Sequence, residues 1–223
     1  MYLILTKKMQ ERIFKIKYGC TPLERCSLVF VYNEKYIICN TAKKKIHQIR
    51  TNRDNQSKWI HIFKGQFEEI EPRFIFFGQW YDTEEKYKFQ KRLFQYVVDS
   101  VANENCCFKL HPSKKDEQMQ YLDSINNVIS NSSSFEIFNH YHDMSQKVLI
   151  SVQSTAISSP KLVYNEEPYV IYLYKIYSEC FPDSLSEHVL KAGDQLKSVY
   201  HQNRVLIPNS VEEFLTLLAQ LRE

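Results

Sequence analysis

From Arg73 onward, short apolar runs alternate with segments of helical period, and that alternation leaves few folds open to the chain. The run RFIFFGQ at 73–79 reads as a buried strand closed by Gly78. Residues 83–103 begin with Thr83, Glu84 and Glu85, a good helix N-terminus, and Phe89, Leu93, Val97 and Val101 then recur along one helical face. CCFKL at 106–110 follows as a strand, then a helix over about 115–130 with Met119, Leu122, Ile125 and Ile129 on one side, then a short strand at 134–138. KVLISV at 147–152 is a strand and 154–163 a short helix, while YVIYLYKIY at 169–177 is the richest strand candidate in β-branched and aromatic residues. A helix over 184–201, a strand at 204–207 closed by Pro208, and a last helix complete the series. Ser210 and Glu213 form a capping box for that last helix, whose Phe214, Leu217, Leu218 and Leu221 face inward.

Nearly all-apolar strands separated by helices predict a parallel sheet covered on both faces, so 73–223 is expected to be a Rossmann-like α/β domain. Residues 1–72 lack a complete alternation. They offer strand-like pieces at 28–32 and 35–40 and then a polar stretch at 48–58, and are expected to form a partial domain with its linker. No internal repeat or low-complexity tract interrupts the chain.

Composition narrows the function classes. At 223 residues with 43% apolar and 25% charged residues, the chain suits a soluble globular protein with a sizeable core. A net charge of +3 is mild and does not suit a dedicated nucleic-acid binder. Only 4 glycines stand against 15 tyrosines and 14 phenylalanines, and neither GxGxxG nor GxxxxGK[ST] occurs. A phosphate would therefore have to be held without a glycine-rich loop. The 6 cysteines have no CxxC or other regular spacing, which argues against zinc. Cys106 and Cys107 lie inside an apolar strand and read as core. His140 and His142 lack acidic or cysteine partners at useful spacing and read as surface loop, so no metal is expected. No signal peptide or membrane span is visible, and reduced cytoplasmic thiols are expected.

Ligands of open parallel sheets bind outside the carboxyl ends of the strands. That rule selects Gly78 and Gln79, His111 and Pro112, and Gln153, Ser154 and Thr155, which follow three predicted strands and become neighbours if those strands lie side by side. Ser154 and Thr155 stand where a helix begins, and its N–H groups and positive dipole end favour a phosphate. His111 can donate a hydrogen bond or a proton to a phosphate oxygen, and Pro112 stiffens its backbone. Lys109, Lys114 and Lys115 add positive potential. Taken singly, each motif has a plain structural explanation: a turn, an N-cap, a solvated helix face. Their coincidence on one sheet edge is what points to a site.

In the same order, FFGQ, FKLHP, ISVQSTAISSPKLV and RVLIPNSVEEFLTLL resemble the C-terminal half of bacterial GT-B sialyltransferases, the lipooligosaccharide sialyltransferases and their polysialyltransferase relatives. The likeness covers about 73–223, and residues 2–19 are loosely similar to the later part of that family's N-terminal domain. The resemblance implies a GT-B-type Rossmann-like C-terminal domain preceded by an incomplete N-terminal α/β portion. It also implies that His111 contacts the phosphate of cytidine 5′-monophosphate, that Ser154 and Thr155 help to hold it, and that Gly78 and Gln79 match the loop opening the nucleotide cleft. The family's acidic, glycine-ended motif for the general base does not occur.

On this likeness the expected activity is transfer of a sugar from a CMP-activated donor, CMP-sialic acid first, to a cell-surface glycan or glycolipid acceptor, with no cofactor. Peripheral association with the inner membrane and a homodimer are compatible with it. The rivals are a GT-B transferase of Kdo or glycerol phosphate, a truncated non-catalytic nucleotide-binding protein, and, ranked last, a flavodoxin-like signalling domain. The last would require acidic residues after the first strand, where only Asp82 stands.

Overall fold

The structure, a computed structural model, describes residues 71–111, 120, 127–129, 135, 138–139, 142–182, 185 and 189–222, and the backbone alone of 28–31, 45–48 and 187–188. The chain divides into two compact units, Met1–Thr51 and Asn52–Glu223.

In the first unit, β1 (Leu28–Val31) pairs in parallel with β2 (Lys45–Gln48), Leu28 opposite Lys45 and Val31 opposite Gln48. The expected strand at 28–32 is therefore present as β1, and that at 35–40 lies outside the described residues. No strand is expected at β2, of which only Gln48 falls in the polar stretch at 48–58, and a parallel partner fixes it as a strand.

The second unit holds a six-stranded sheet in the order β5-β4-β3-β6-β7-β8, with every pairing parallel. Its strands are β3 (Phe74–Phe77), β4 (Cys106–Lys109), β5 (Val128–Ile129), β6 (Val148–Ser151), β7 (Tyr169–Tyr172) and β8 (Val205–Leu206). The order reverses direction between β3 and β6, the first strands of two consecutive three-strand runs. Open sheets of this order have their ligand crevice at that reversal.

Every residue of β3, β4 and β6 is buried, as the continuous apolar runs require of a sheet covered on both faces. On one face Phe74, Phe76, Cys106, Phe108, Val148, Ile150 and Ile171 share a core with α1 (Glu84–Val101) and α4 (Val211–Arg222). The rings of Phe76 and Phe108 stack at 5.5 Å, with Phe94 of α1 edge-on to both. The alternate residues Ile75, Phe77, Cys107 and Leu149 face the other way, where Phe135 meets the ring of Phe77 edge-on at 4.5 Å. Burial pushes the Cys106 thiol up to about 11 and the Cys107 thiol up to about 12, so both behave as inert core residues. Among the described residues, no helix is long and apolar enough to cross a membrane.

α1 begins after Thr83 with Glu84 and Glu85 in its first turn, and buries Leu93, Val97 and Val101 as its period requires. α4 carries the expected cap in a shifted form. The Ser210 hydroxyl accepts the Glu213 N–H at 3.2 Å, but Glu213 reaches past Ser210 to the backbone N–H of Asn209 at 2.7 Å. Phe214, Leu218 and Leu221 are buried and Leu217 is half-buried.

Three expectations are corrected. The strand expected over 169–177 stops at Tyr172, and α2 (Tyr174–Cys180) follows. The neighbouring β6 ends at Ser151, opposite Tyr172, and the Leu173 N–H to Ser151 carbonyl bond at 2.8 Å is the last available. Without a partner, the aromatic run turns helical and buries Tyr174, Ile176 and Tyr177. Residues 135, 138 and 139 are helical rather than extended, with Phe135 and Phe138 stacked one turn apart at 6.0 Å. The helix expected over 115–130 cannot reach its end, because Val128 and Ile129 pair with Phe108 and Lys109 as β5. The expected helix over 184–201 is present as α3 (Glu187–Lys197).

Candidate functional site

β4, β3 and β6 are adjacent, so the three sequence elements selected above emerge side by side at the carboxyl edge of the sheet. Phe77 lies opposite both Lys109 and Ser151, which sets Gly78 and Gln79 at the level of Leu110 and His111 on one side and of Val152 and Gln153 on the other.

Gly78 donates its N–H to the Lys109 carbonyl at 2.9 Å, the last bond between β3 and β4. A Cβ there would stand 2.5 Å from the Phe108 ring, so this glycine serves close packing. Gln79 is also buried. Its N–H donates to Gln90 Oε1 of α1 at 2.7 Å, and its Nε2 reaches the Gly78 carbonyl at 3.1 Å and Ser151 Oγ at 3.5 Å.

Ser151 is the hub. Fully buried, its hydroxyl donates to the Phe77 carbonyl at 3.3 Å and accepts the Ser154 N–H at 3.0 Å. Gln79, Ser151 and Ser154 are thereby tied across the reversal point. Ser154 is the cap the sequence predicts, its Oγ accepting the Ala156 N–H at 3.3 Å. The helix it caps is shorter than expected: a 3₁₀ turn, Thr155–Ser158, followed by a π turn, Pro160–Tyr164. Its dipole is correspondingly small, and binding here depends on individual N–H and O–H groups. Thr155 is exposed beside the cap.

His111 is half-buried just past the end of β4. Lys109 is buried, with Nζ 3.5 Å from the Leu110 carbonyl, and does not join a solvated basic face. Pro112, Lys114, Lys115 and His140 lie outside the described residues. His142, expected in a surface loop, is half-buried and stacks on Phe138 at 4.1 Å. Among the described residues no cluster of His, Cys, Asp and Glu could hold a metal ion.

The edge thus gathers hydroxyls, an amide, an imidazole and an ammonium group, a set suited to a polar or anionic ligand. Two residues of this edge are not singled out by the sequence. Ser151 reads as one more strand residue, although a hydroxyl ending an apolar strand beside a Gly-Gln end is a signal. Trp80, directly after Gln79, is 43% exposed.

A largely buried ion pair lies at the opposite, amino edge. Lys161, buried, pairs with Glu167 and donates to Asn165 Oδ1 at 2.8 Å. Glu167 also receives the His201 N–H at 3.0 Å and contacts the His201 ring at 2.7 Å. Burial alone would raise the Glu167 pKa, but the bonds from Lys161 and His201 outweigh it and hold the carboxyl down at about 2. Arg204 donates to the Glu167 carbonyl at 2.8 Å and lies over the Tyr169 ring. These contacts tie the loops entering β7 and β8, which is a structural role.

No protein-family model matches the chain, and no curated protein matches it.

Proposed function

We propose that the chain is a sialyltransferase-like glycosyltransferase of GT-B type, whose Rossmann-like unit binds a CMP-activated sugar at the carboxyl edge of β4, β3 and β6. The observation that carries this is the adjacency of those three strands, which brings His111 and the Ser151–Ser154 turn to one edge on either side of Gln79. A nucleotide phosphate held there meets an imidazole from one side and Thr155 with its turn from the other.

In the reaction, an acceptor hydroxyl attacks the anomeric carbon of the donor sugar. The new C–O bond forms as the bond from that carbon to the phosphate oxygen breaks, and a base takes the hydroxyl proton. CMP leaves with the bonding electron pair. His111 stabilises the charge developing on the phosphate by donating a hydrogen bond or a proton, and the hydroxyl-bearing turn shares that load. The acceptor is a glycan or glycolipid, the setting is the cytoplasm with peripheral access to the membrane, and no metal takes part.

Calorimetric titration of CMP into the wild-type chain and into His111→Ala tests the assignment. Binding that weakens at least about ten-fold in the variant, the loss of one charge-assisted hydrogen bond, is the expected result. A folded wild-type chain that does not bind CMP overturns it. Competition among CMP-sugars, CMP-Kdo and CDP-glycerol then separates a sialic acid donor from the other GT-B donors.

A further inference from the structure

We propose that Trp80 is the stacking platform for the base of the nucleotide bound at this edge, an inference that rests on the nucleotide-binding reading above. Two large apolar side chains are conspicuously exposed among the described residues, Trp80 at 43% and Leu190 at 41%. Leu190 lies on α3, whereas Trp80 lies in the loop leaving β3 at the point where strand order reverses.

Both neighbours of Trp80 are buried and anchored to α1. The Gln79 N–H is bonded to Gln90 Oε1 at 2.7 Å, and the Tyr81 N–H to the Tyr87 hydroxyl at 3.0 Å. The Tyr81 ring is stacked on Tyr177 at 5.6 Å and meets Tyr87 edge-on at 5.5 Å. A backbone pinned on both sides presents the residue between them from a fixed position, so a ligand meeting it loses little ordering entropy. Register supplies the location. Trp80 is three residues beyond Phe77, Ser154 is three beyond Ser151, and those two strand residues are paired. Adjacent strands lie about 4.8 Å apart, so the indole-bearing loop and the hydroxyl-bearing turn leave the sheet as neighbours.

A nucleotide has a phosphate end and a planar ring end, and this edge offers a matching pair of surfaces. Indole is the aromatic side chain with the largest face, and base stacking on such a face engages the ring whatever its hydrogen-bonding edge. The phosphate is held through His111 and the Ser154 turn, and the base through Trp80.

The chain has two tryptophans, so Trp59→Phe leaves Trp80 as the sole indole reporter. In that variant CMP is expected to quench the fluorescence, and ribose 5-phosphate, which lacks the base, to leave it unchanged. CMP affinity by calorimetry is expected to fall roughly ten-fold in Trp80→Ala and by less than about three-fold in Trp80→Phe, which keeps a stacking face. Wild-type affinity retained in Trp80→Ala, or equal quenching by ribose 5-phosphate, overturns the platform and leaves nucleotide binding standing. Absence of CMP binding in the wild-type chain overturns both. Should Trp80→Ala fail to fold, the quenching comparison decides alone, because it leaves Trp80 in place.

Discussion

The hydroxyl of Ser151 donates to the backbone carbonyl of Phe77 at 3.3 Å, joining the ends of two strands that are 74 residues apart in sequence. The same oxygen accepts the Ser154 N–H, so one atom fixes both the sheet reversal and the turn beyond it. Ser151→Ala leaves the half-buried Ser154 N–H without its acceptor. A loss of about 1–3 kcal/mol in urea-denaturation stability is expected, with weaker CMP binding alongside. Unchanged stability would show that the hydroxyl bridge contributes nothing.

Gly78→Ala is expected to destabilise the protein by about 1–3 kcal/mol. The added methyl would stand 2.5 and 2.7 Å from two atoms of the Phe108 ring, which is locked between Phe76 and Phe94 and has nowhere to move. A thermal melt of the variant checks this, and a midpoint equal to that of the wild type would refute it.

The opposite exchange is favourable at the end of α1. Ala102 has φ 69° and ψ 151°, a backbone region that glycine occupies freely and alanine does not. Ala102→Gly is expected to gain about 1 kcal/mol despite the greater freedom of the unfolded chain. A lower denaturation midpoint in the glycine variant would contradict the strain at this cap.

Glu167 sets an acid limit. Its carboxyl sits at about 2 in the folded chain against an ordinary 4.5, so the folded state binds its proton more weakly than the unfolded state does. The resulting stabilisation is complete above about pH 4.5 and is lost as pH falls toward about 2. Lys161→Met removes the main partner of that carboxylate. It is expected to cost about 3 kcal/mol near neutrality and to flatten the acid limb of the stability profile. An acid limb unchanged in the variant would mean that other carboxylates govern it.

Much of this architecture is legible in the sequence because the core strands are short and continuously apolar. FIFF, CCFK and VLIS, short apolar runs alternating with segments of helical period, read as strands buried on both faces, and the period of α1 and the Ser210 cap of α4 are equally plain. Tyr169 to Tyr177 misleads because β propensity continues past the point where β6 stops offering bonds. Phe135 and Phe138 mislead because five residues cannot distinguish a strand from a helical turn. The site is legible in outline, since strand ends locate it once the sheet is known to be parallel. Ser151 and Trp80 are not, because what marks them is register in one case and exposure in the other, and neither is written along a single chain.

The reversal of strand order also constrains how the chain folds. β3, β4 and β5 follow one another as neighbours, as do β6, β7 and β8, so each run grows by contacts between successive strands. The seam between the runs is different, because β3 must wait for β6 before its second edge is covered. Closing so long a loop is the slow entropic step. During synthesis the nascent β3 edge, all phenylalanine and isoleucine, stays open until about seventy further residues have left the ribosome, and it is the segment most in need of shielding from other chains.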